Sequence, residues 1–143
     1  MAASTGASAT PLSVVVLSHR PEVREAIVEA VGRRPAPDLP RLRFAEVGSV
    51  AEVLGRIDAG EVDLAVLDGE AQPTGGMGVC RQLKNDSGDP PPVVVVVRRT
   101  DDRWLATWSQ ADAVLVQPLD PITTAETVAA VLRARSGIPA VRG

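Results

Sequence analysis

The 143-residue sequence predicts an α/β fold, a doubly wound parallel sheet built from five βα units. Short apolar runs alternate five times along the chain with helix-like patterns, and this alternation is typical of such a sheet. Two of the runs, residues 64–67 and the five valines 93–97, are too apolar to be half-exposed strands. Strands that are apolar throughout are typical of parallel sheets covered by helices on both faces.

The first half of the chain predicts three strands and two helices. The strands are residues 13–17, 42–47 and 63–67. Pro21 suits the first position of a helix that Gly32 ends, and Ser49 suits the N-cap of a second helix that continues to about residue 59. The inward face of the first helix is expected to carry five apolar residues, Val23, Ala26, Ile27, Ala30 and Val31.

The second half predicts two more strands and three more helices. The strands are residues 93–97 and 112–116, and the first two helices are residues 77–84 and 101–109. Asp120 is expected to cap the final helix, with Pro121 at its first position. The inward face of this last helix is expected to carry Ile122, Ala125, Val128, Ala129 and Leu132.

Five such units in a chain of this length favour a flavodoxin-like (βα)5 arrangement with strand order 2-1-3-4-5. The first, third and fourth strands are the most apolar, as expected for the middle of that order. We expect one domain over residues 12–135, with flexible tails at 1–11 and 136–143. The carboxyl ends of the first and third strands then flank one crevice, where Ser18, His19 and Asp68 are predicted to meet.

Composition excludes several classes of function. A net charge of −3 gives no electrostatic reason to expect a nucleic-acid partner, and the single cysteine, Cys80, excludes an internal disulfide. The sequence has no apolar run long enough for membrane insertion and no secretory signal pattern, which favours a cytoplasmic protein. Since no phosphate-binding loop, serine nucleophile elbow or metal-ligand spacing is present, we expect no enzyme activity and no bound cofactor.

Four segments occur in an order that carries a resemblance to a known family. Leu67-Asp68 ends a buried strand, residues 76–84 follow it as a glycine-led helix, residues 21–26 open the first helix, and residues 117–121 read Gln-Pro-Leu-Asp-Pro. Together they resemble the receiver domain of two-component response regulators. The resemblance implies that Asp68 occupies the phosphoacceptor position. It also implies a cis peptide bond between Gln117 and Pro118.

Other positions depart from the family pattern. Ser18 and His19 stand where receivers place two acids that bind Mg²⁺. Arg98 stands at the Thr or Ser that contacts the phosphoryl group, Gln117 at the phosphate-binding Lys, and Val114 at the switch aromatic. Because phosphoryl transfer depends on a metal ion and cationic groups, these changes predict an atypical receiver, or pseudo-receiver.

The expected function is that of a stand-alone, single-domain response regulator in phosphorelay signalling, which acts through protein–protein interaction without normal Mg²⁺-dependent phosphorylation. The expected partner surface is the face made by the fourth helix, fifth strand and fifth helix, with Trp104 and Trp108 as candidate anchors. A homodimer on this face is a further possibility.

Two alternatives remain open from the sequence. In one, Asp68 is a working phosphoacceptor, with Asp68 and Glu70 as a minimal Mg²⁺ ligand set. In the other, the crevice near Ser18, Asp68 and Arg98 senses a small molecule.

Arg98 raises a further question, because a guanidinium pairs well with a carboxylate. One hypothesis is that Arg98 or His19 neutralises Asp68 and holds the domain in one conformation. The alternative is that Arg98, like Arg99 beside it, points into water.

Overall fold

A computed structural model describes residues 10–69, 81, 83, 90–99 and 110–136. Five parallel strands form one sheet in the order β2-β1-β3-β4-β5, which confirms the predicted topology. The strands are β1 (Leu12–Leu17), β2 (Leu42–Val47), β3 (Leu64–Asp68), β4 (Val93–Val97) and β5 (Ala113–Val116). The described helices are α1 (Pro21–Val31), α2 (Val50–Asp58) and a C-terminal helix (Pro121–Ser136), and Arg81 and Leu83 are also helical. The predicted helix at 101–109 lies outside the described residues.

The sheet is apolar on both faces, as the unbroken apolar runs require. Every residue of β3 and β4 is buried, so these strands lie in the centre of the domain. Alternate residues of the strands point to opposite faces. One face packs against α1 and the C-terminal helix through Val14, Val66, Val94, Ile27 and Val128. The other face packs against α2 through Val15, Leu67, Val95 and Val53.

The predicted helix ends are confirmed by their hydrogen bonds. Pro21 occupies the first turn of α1. Ser49 Oγ accepts a hydrogen bond from the backbone N–H of Glu52 (3.3 Å), and Asp120 Oδ2 accepts one from Thr123 (2.8 Å). Each side chain satisfies a backbone donor that the first turn of a helix leaves unpaired.

The predicted inward faces are wrong at two positions. Ile122 is 70% exposed, because the buried stripe of the C-terminal helix runs through Thr124, Val128 and Leu132 at every fourth residue. Ile122 precedes Thr124 by two residues, about 200° of rotation, and therefore lies on the opposite side. Ala26 of α1 is also exposed. In the part of the chain that the structure describes, no helix has the length and apolarity to span a membrane.

Candidate functional site

The candidate site lies at the carboxyl edge of the sheet, where β1 and β3 end. Register pairs Leu17 of β1 with Leu67 of β3, so Ser18 and Asp68 follow side by side. Both side chains are 0% exposed. Ser18 Oγ donates a hydrogen bond to Asp68 Oδ2 at 2.7 Å. The meeting of these two residues, predicted from the strand order, is therefore present as a direct contact.

The surroundings of Ser18 fix the direction of its hydroxyl proton. The backbone N–H of Arg20 donates to Ser18 Oγ at 3.1 Å. A hydroxyl has one proton and two acceptor lone pairs, so with one lone pair occupied its proton is directed to the carboxylate. A hydrogen bond to an ionised carboxylate is among the stronger ones in proteins. The Ser18 hydroxyl therefore acts as a hydrogen-bond donor to Asp68.

Arg24 ties helix α1 to this strand end. Its Nη1 donates to the backbone carbonyl of Ser18 at 2.7 Å, and its Nε lies 3.5 Å from Glu46 Oε1. The backbone N–H of Ser18 donates to Val47 O of the neighbouring strand at 3.2 Å. Both backbone groups and the hydroxyl of Ser18 thus have partners, which holds its position beside Asp68.

The predicted pairing of Asp68 with Arg98 or His19 is wrong in this structure. Both of these side chains are exposed. No ion pair among the described residues joins either of them to Asp68. The physical reason is register, because Ser18 follows the Leu17–Leu67 pair and so lies beside Asp68, whereas Arg98 is two residues beyond Val96, the partner of Asp68 in β4. The alternative, that Arg98 faces water, is the arrangement observed.

The remaining predicted positions are distributed around the same edge. The backbone N–H of Gln117 donates to Val97 O at 2.9 Å, and the Gln117-Pro118 bond is cis, as the resemblance implied. Val114 lies in β5 opposite Val95 and is half-buried. The candidate residues Glu70, Trp104 and Trp108 lie outside the described residues.

The side chains at this edge do not fit a Mg²⁺ site as the structure describes them. Mg²⁺ requires oxygen ligands in near-octahedral geometry and is usually held by more than one anionic group. Asp68 supplies one carboxylate, the Ser18 hydroxyl already donates to it, and His19 would offer a nitrogen. Over the described ranges, three or more acids, histidines or cysteines do not cluster anywhere in a metal-binding arrangement.

The sequence reasoning did not anticipate the role of Arg24. The sequence feature that could have indicated this role is the position of Arg24 in the first turn of the helix that begins at Pro21. Side chains of a helix lean toward its N-terminus, so an arginine there reaches back over the preceding strand end. In the structure Arg24 makes this contact with Ser18.

Comparison with known proteins identifies the family. The chain is 46% identical over 127 residues to the uncharacterized response regulatory protein Rv3143 of Mycobacterium tuberculosis H37Rv, a match that covers 89% of this chain and 96% of that protein. The protein MT3230 of strain CDC 1551 gives the same figures. The chain therefore belongs to the response regulator family and is a receiver domain of two-component signalling. No family model matches the sequence.

Solved structures agree on the fold. A CheY-like receiver domain protein from Methanospirillum hungatei JF-1 superposes with a TM-score of 0.69 at 13% identity, and the match covers 90% of this chain and 98% of that one. The receiver domain of Francisella response regulator 1452 gives a TM-score of 0.70 at 15% identity, with coverage of 86% and 98%. The flavodoxin-like receiver fold predicted from the sequence is confirmed.

Proposed function

We propose that this chain is an atypical receiver that signals by contact with another protein, without Mg²⁺-dependent phosphorylation of Asp68. The observation that carries the proposal is the 2.7 Å hydrogen bond from Ser18 to Asp68 between two fully buried side chains. In the receivers that the chain resembles, the position of Ser18 belongs to an acid that binds the metal. Here the same position holds a neutral group that already has its partners.

The chemistry of phosphoryl transfer supports this proposal. The transferred group carries charge on its oxygens, which metal ions and cationic side chains must stabilise. At the described edge the buried Asp68 carboxylate accepts a hydrogen bond from a hydroxyl, and Ser18 beside it carries no charge. Arg98 and Gln117 replace the residues that would contact the phosphate. Transfer to Asp68 should therefore be severely slowed.

The same contacts also give Asp68 a structural role, because its carboxylate links the ends of two strands. Ser18 connects the ends of β1 and β3 through the carboxylate, and Arg24 connects α1 to Ser18. Together they connect β1, β3 and α1 at the carboxyl edge through contacts that involve neither a phosphate nor a metal. A domain fixed in this way presents a constant surface to its partner.

Intact-mass measurement after incubation with acetyl phosphate and Mg²⁺ tests the proposal. We expect no phosphoryl mass gain in the wild-type chain. The double substitution Ser18→Asp with His19→Asp restores both acids, and we expect it to gain a phosphoryl group that a further Asp68→Asn change abolishes. Ser49→Asp is the matched control, since it adds an acid at an N-cap position where Asp is well tolerated.

A Mg²⁺-dependent mass gain in the wild-type chain that Asp68→Asn abolishes would contradict the proposal. That result would instead establish the alternative, a working phosphoacceptor. Circular dichroism of each variant verifies that a missing mass gain does not come from unfolding.

The partner surface is part of the same proposal. The expected face includes β5 and the C-terminal helix, and Ile122 at the start of this helix is a large apolar side chain exposed to water. Buried apolar side chains commonly supply much of the affinity of an interface. We expect Ile122→Ser to reduce recovery of the partner in affinity purification, whereas Ala130→Ser on the same helix leaves it unchanged. Equal recovery with both variants would count against this surface.

A further inference from the structure

The outer side of α1 carries negative charge without a cationic partner. Glu22, Glu25 and Glu29 are exposed on this helix, at spacings of three and four residues that place them along one side. No ion pair within the described ranges includes any of the three. Arg24, the cation of the same helix, lies beside Glu46 of β2 instead. The exposed side of α1 is therefore acidic and has no counter-charge of its own.

The connector between α1 and β2 (residues 32–41) carries the opposite charge. Arg33, Arg34 and Arg41 are exposed. The one acid of the connector, Asp38, accepts hydrogen bonds from Arg133 of the C-terminal helix at 2.7 and 2.8 Å, so its charge is already neutralised. For Arg33 and Arg41, the part of the chain that the structure describes supplies no acidic partner. The connector is thus basic where α1 is acidic.

Backbone hydrogen bonds hold these arginines next to α1. Arg33 O accepts the N–H of Leu42 at 2.7 Å, and Arg41 directly precedes Leu42, so the backbones of Arg33 and Arg41 are close together. Leu39 is buried in the same apolar cluster as Ile27 of α1. The acidic helix and the basic connector therefore belong to one layer of the domain, on one face of the sheet, and their charges follow each other along it.

An apolar groove lies beside the acidic side of α1. It has a volume of about 720 Å³ and is lined by α1 and by the segment that leads into the C-terminal helix. Ala26 and Pro121 in its lining are exposed, and Leu119 is half-buried. Apolar surface rimmed by polar groups is typical of places where another protein binds. The α1 face thus combines apolar area that a partner can cover with charge that a partner can pair.

We propose that two copies of this chain associate through α1, packed antiparallel about a two-fold axis. Glu22 and Glu25 lie in the first half of α1. Arg33 and Arg41 belong to the connector that begins after its last residue, Val31. An antiparallel copy therefore places the acids of each helix opposite the arginines of the other, and the symmetry forms both sets of contacts at once. A parallel copy would set acid against acid.

The charge pattern favours a second copy as the occupant. Both signs lie on one face of the same chain, in the order that an antiparallel copy requires. Ala26, near the middle of α1, is small and exposed, so two helices can approach closely where the axis would pass. Since charged contacts contribute more to specificity and association rate than to affinity, we expect a weak dimer that salt dissociates. The contact involves neither Asp68 nor the expected partner face of β5 and the C-terminal helix, so the inference goes beyond the proposed function.

Sedimentation velocity of the full chain, at concentrations up to about 1 mM, tests the inference. We expect a monomer–dimer equilibrium whose Kd rises between about 50 mM and about 500 mM NaCl, because salt screens exposed charges. The basic variant, Glu22→Arg with Glu25→Arg, and the acidic variant, Arg33→Glu with Arg41→Glu, each set like charges opposite one another. In each of them the dimer Kd should rise by about tenfold or more.

Mixing the basic and the acidic variant is the sharpest measurement. Every charged position of one variant then faces the opposite sign in the other, so we expect a heterodimer at least as tight as the wild-type dimer. The matched control is Asp58→Arg with Glu61→Arg, which makes the same change in charge at exposed positions of α2 and the loop after it, across the sheet from α1. It should leave the dimer Kd unchanged within about twofold. Circular dichroism verifies that each variant is folded.

A wild-type chain that stays monomeric over this range would overturn the inference. A dimer that the basic or the acidic variant leaves intact would do so too, and so would a mixture of the two variants that does not associate. Because no phosphodonor or metal ion enters these measurements, failure here leaves the proposed function unaffected.

Discussion

Carboxylates lie at both edges of the sheet, but they have different partners. At the amino edge, Asp63 Oδ2 accepts the backbone N–H of Ser13 at 2.8 Å, and Asp112 Oδ2 accepts that of Val93 at 2.7 Å. At the carboxyl edge, Asp68 accepts a side-chain hydroxyl. The amino-edge acids thus tie neighbouring strands through the main chain, whereas the hydrogen bond between Ser18 and Asp68 depends on the side chain at position 18.

The backbone contacts of Asp63 and Asp112 support the sheet itself, whereas the side-chain contact of Asp68 sets the chemistry of the candidate site. Every residue except proline supplies a backbone N–H, so the contact with Asp63 survives substitution of Ser13 by alanine. The contact at the carboxyl edge is lost or changed with Ser18. A receiver can therefore change its chemistry at the carboxyl edge while it keeps the same sheet.

Ser18→Ala should produce the largest change in stability. It removes the hydrogen bond to the buried Asp68 and leaves the backbone N–H of Arg20 without its acceptor. Loss of a hydrogen bond to a charged group costs about 2–3 kcal/mol. Urea denaturation measures this as a lower free energy of unfolding.

Ser13→Ala is the matched control, because it changes the same residue type near the other end of β1, at the amino edge of the sheet. Ser13 contacts Asp63 through its backbone N–H, which alanine retains. We expect a change within about 0.5 kcal/mol. If the two substitutions had equal effects, the contrast between the edges would be wrong.

Gly69→Ala tests how tightly the carboxyl edge is packed, with a smaller expected effect. An added Cβ would lie 3.0 Å from Val96 O and 3.6 Å from the Cγ1 atoms of Val95 and Val97. Forcing an atom into such a site costs about 1–2 kcal/mol. Gly55→Ala in α2 meets no atom within 4 Å and should stabilise the helix by roughly 0.5–1 kcal/mol. Thermal denaturation of both variants checks the opposite signs.

Asp38→Asn should give the smallest effect, at an exposed carboxylate in the connection between α1 and β2. Asp38 accepts two hydrogen bonds from Arg133, at 2.7 and 2.8 Å, and these lower its pKa below the ordinary value of 3.8. A lowered pKa in the folded state stabilises the protein above the ordinary pKa, and this contribution is lost as pH falls through the lowered value.

The melting temperature should therefore be slightly lower in Asp38→Asn than in the wild type at pH 7, and the difference should disappear once the pH falls below the lowered pKa of Asp38. Asp58→Asn, at an exposed acid of α2, is the control. A difference that persists unchanged in acid would exclude this ion pair as its source.

Most of the fold follows from the sequence because its signals are local. The five valines of β4 and the apolar run of β3 require burial on both faces, and Ser49 and Asp120 mark helix starts through their own neighbours. The inward face of the C-terminal helix was harder to predict. Thr124 is buried while Ile122 is exposed, and residue type alone favours the reverse.

The candidate site could be predicted only in part. Strand order brings Ser18 and Asp68 together, and the sequence predicted that meeting. It did not predict which donor Asp68 would use, since a nearby arginine suits a carboxylate as well as a hydroxyl does. Which donor contacts Asp68 depends on the burial of each side chain, and Ser18 is buried whereas Arg98 is exposed. Burial is set by the three-dimensional fold and cannot be read from residue type.

Titration of the full chain with Mg²⁺, followed by the NMR amide shift of Gly69, tests most directly whether the Ser18–Asp68 contact stands in place of a metal site. We predict no saturable shift for the wild-type chain at physiological Mg²⁺ concentration, and a saturable shift for Ser18→Asp combined with His19→Asp. A saturable shift in the wild-type chain that Asp68→Asn abolishes would contradict the account.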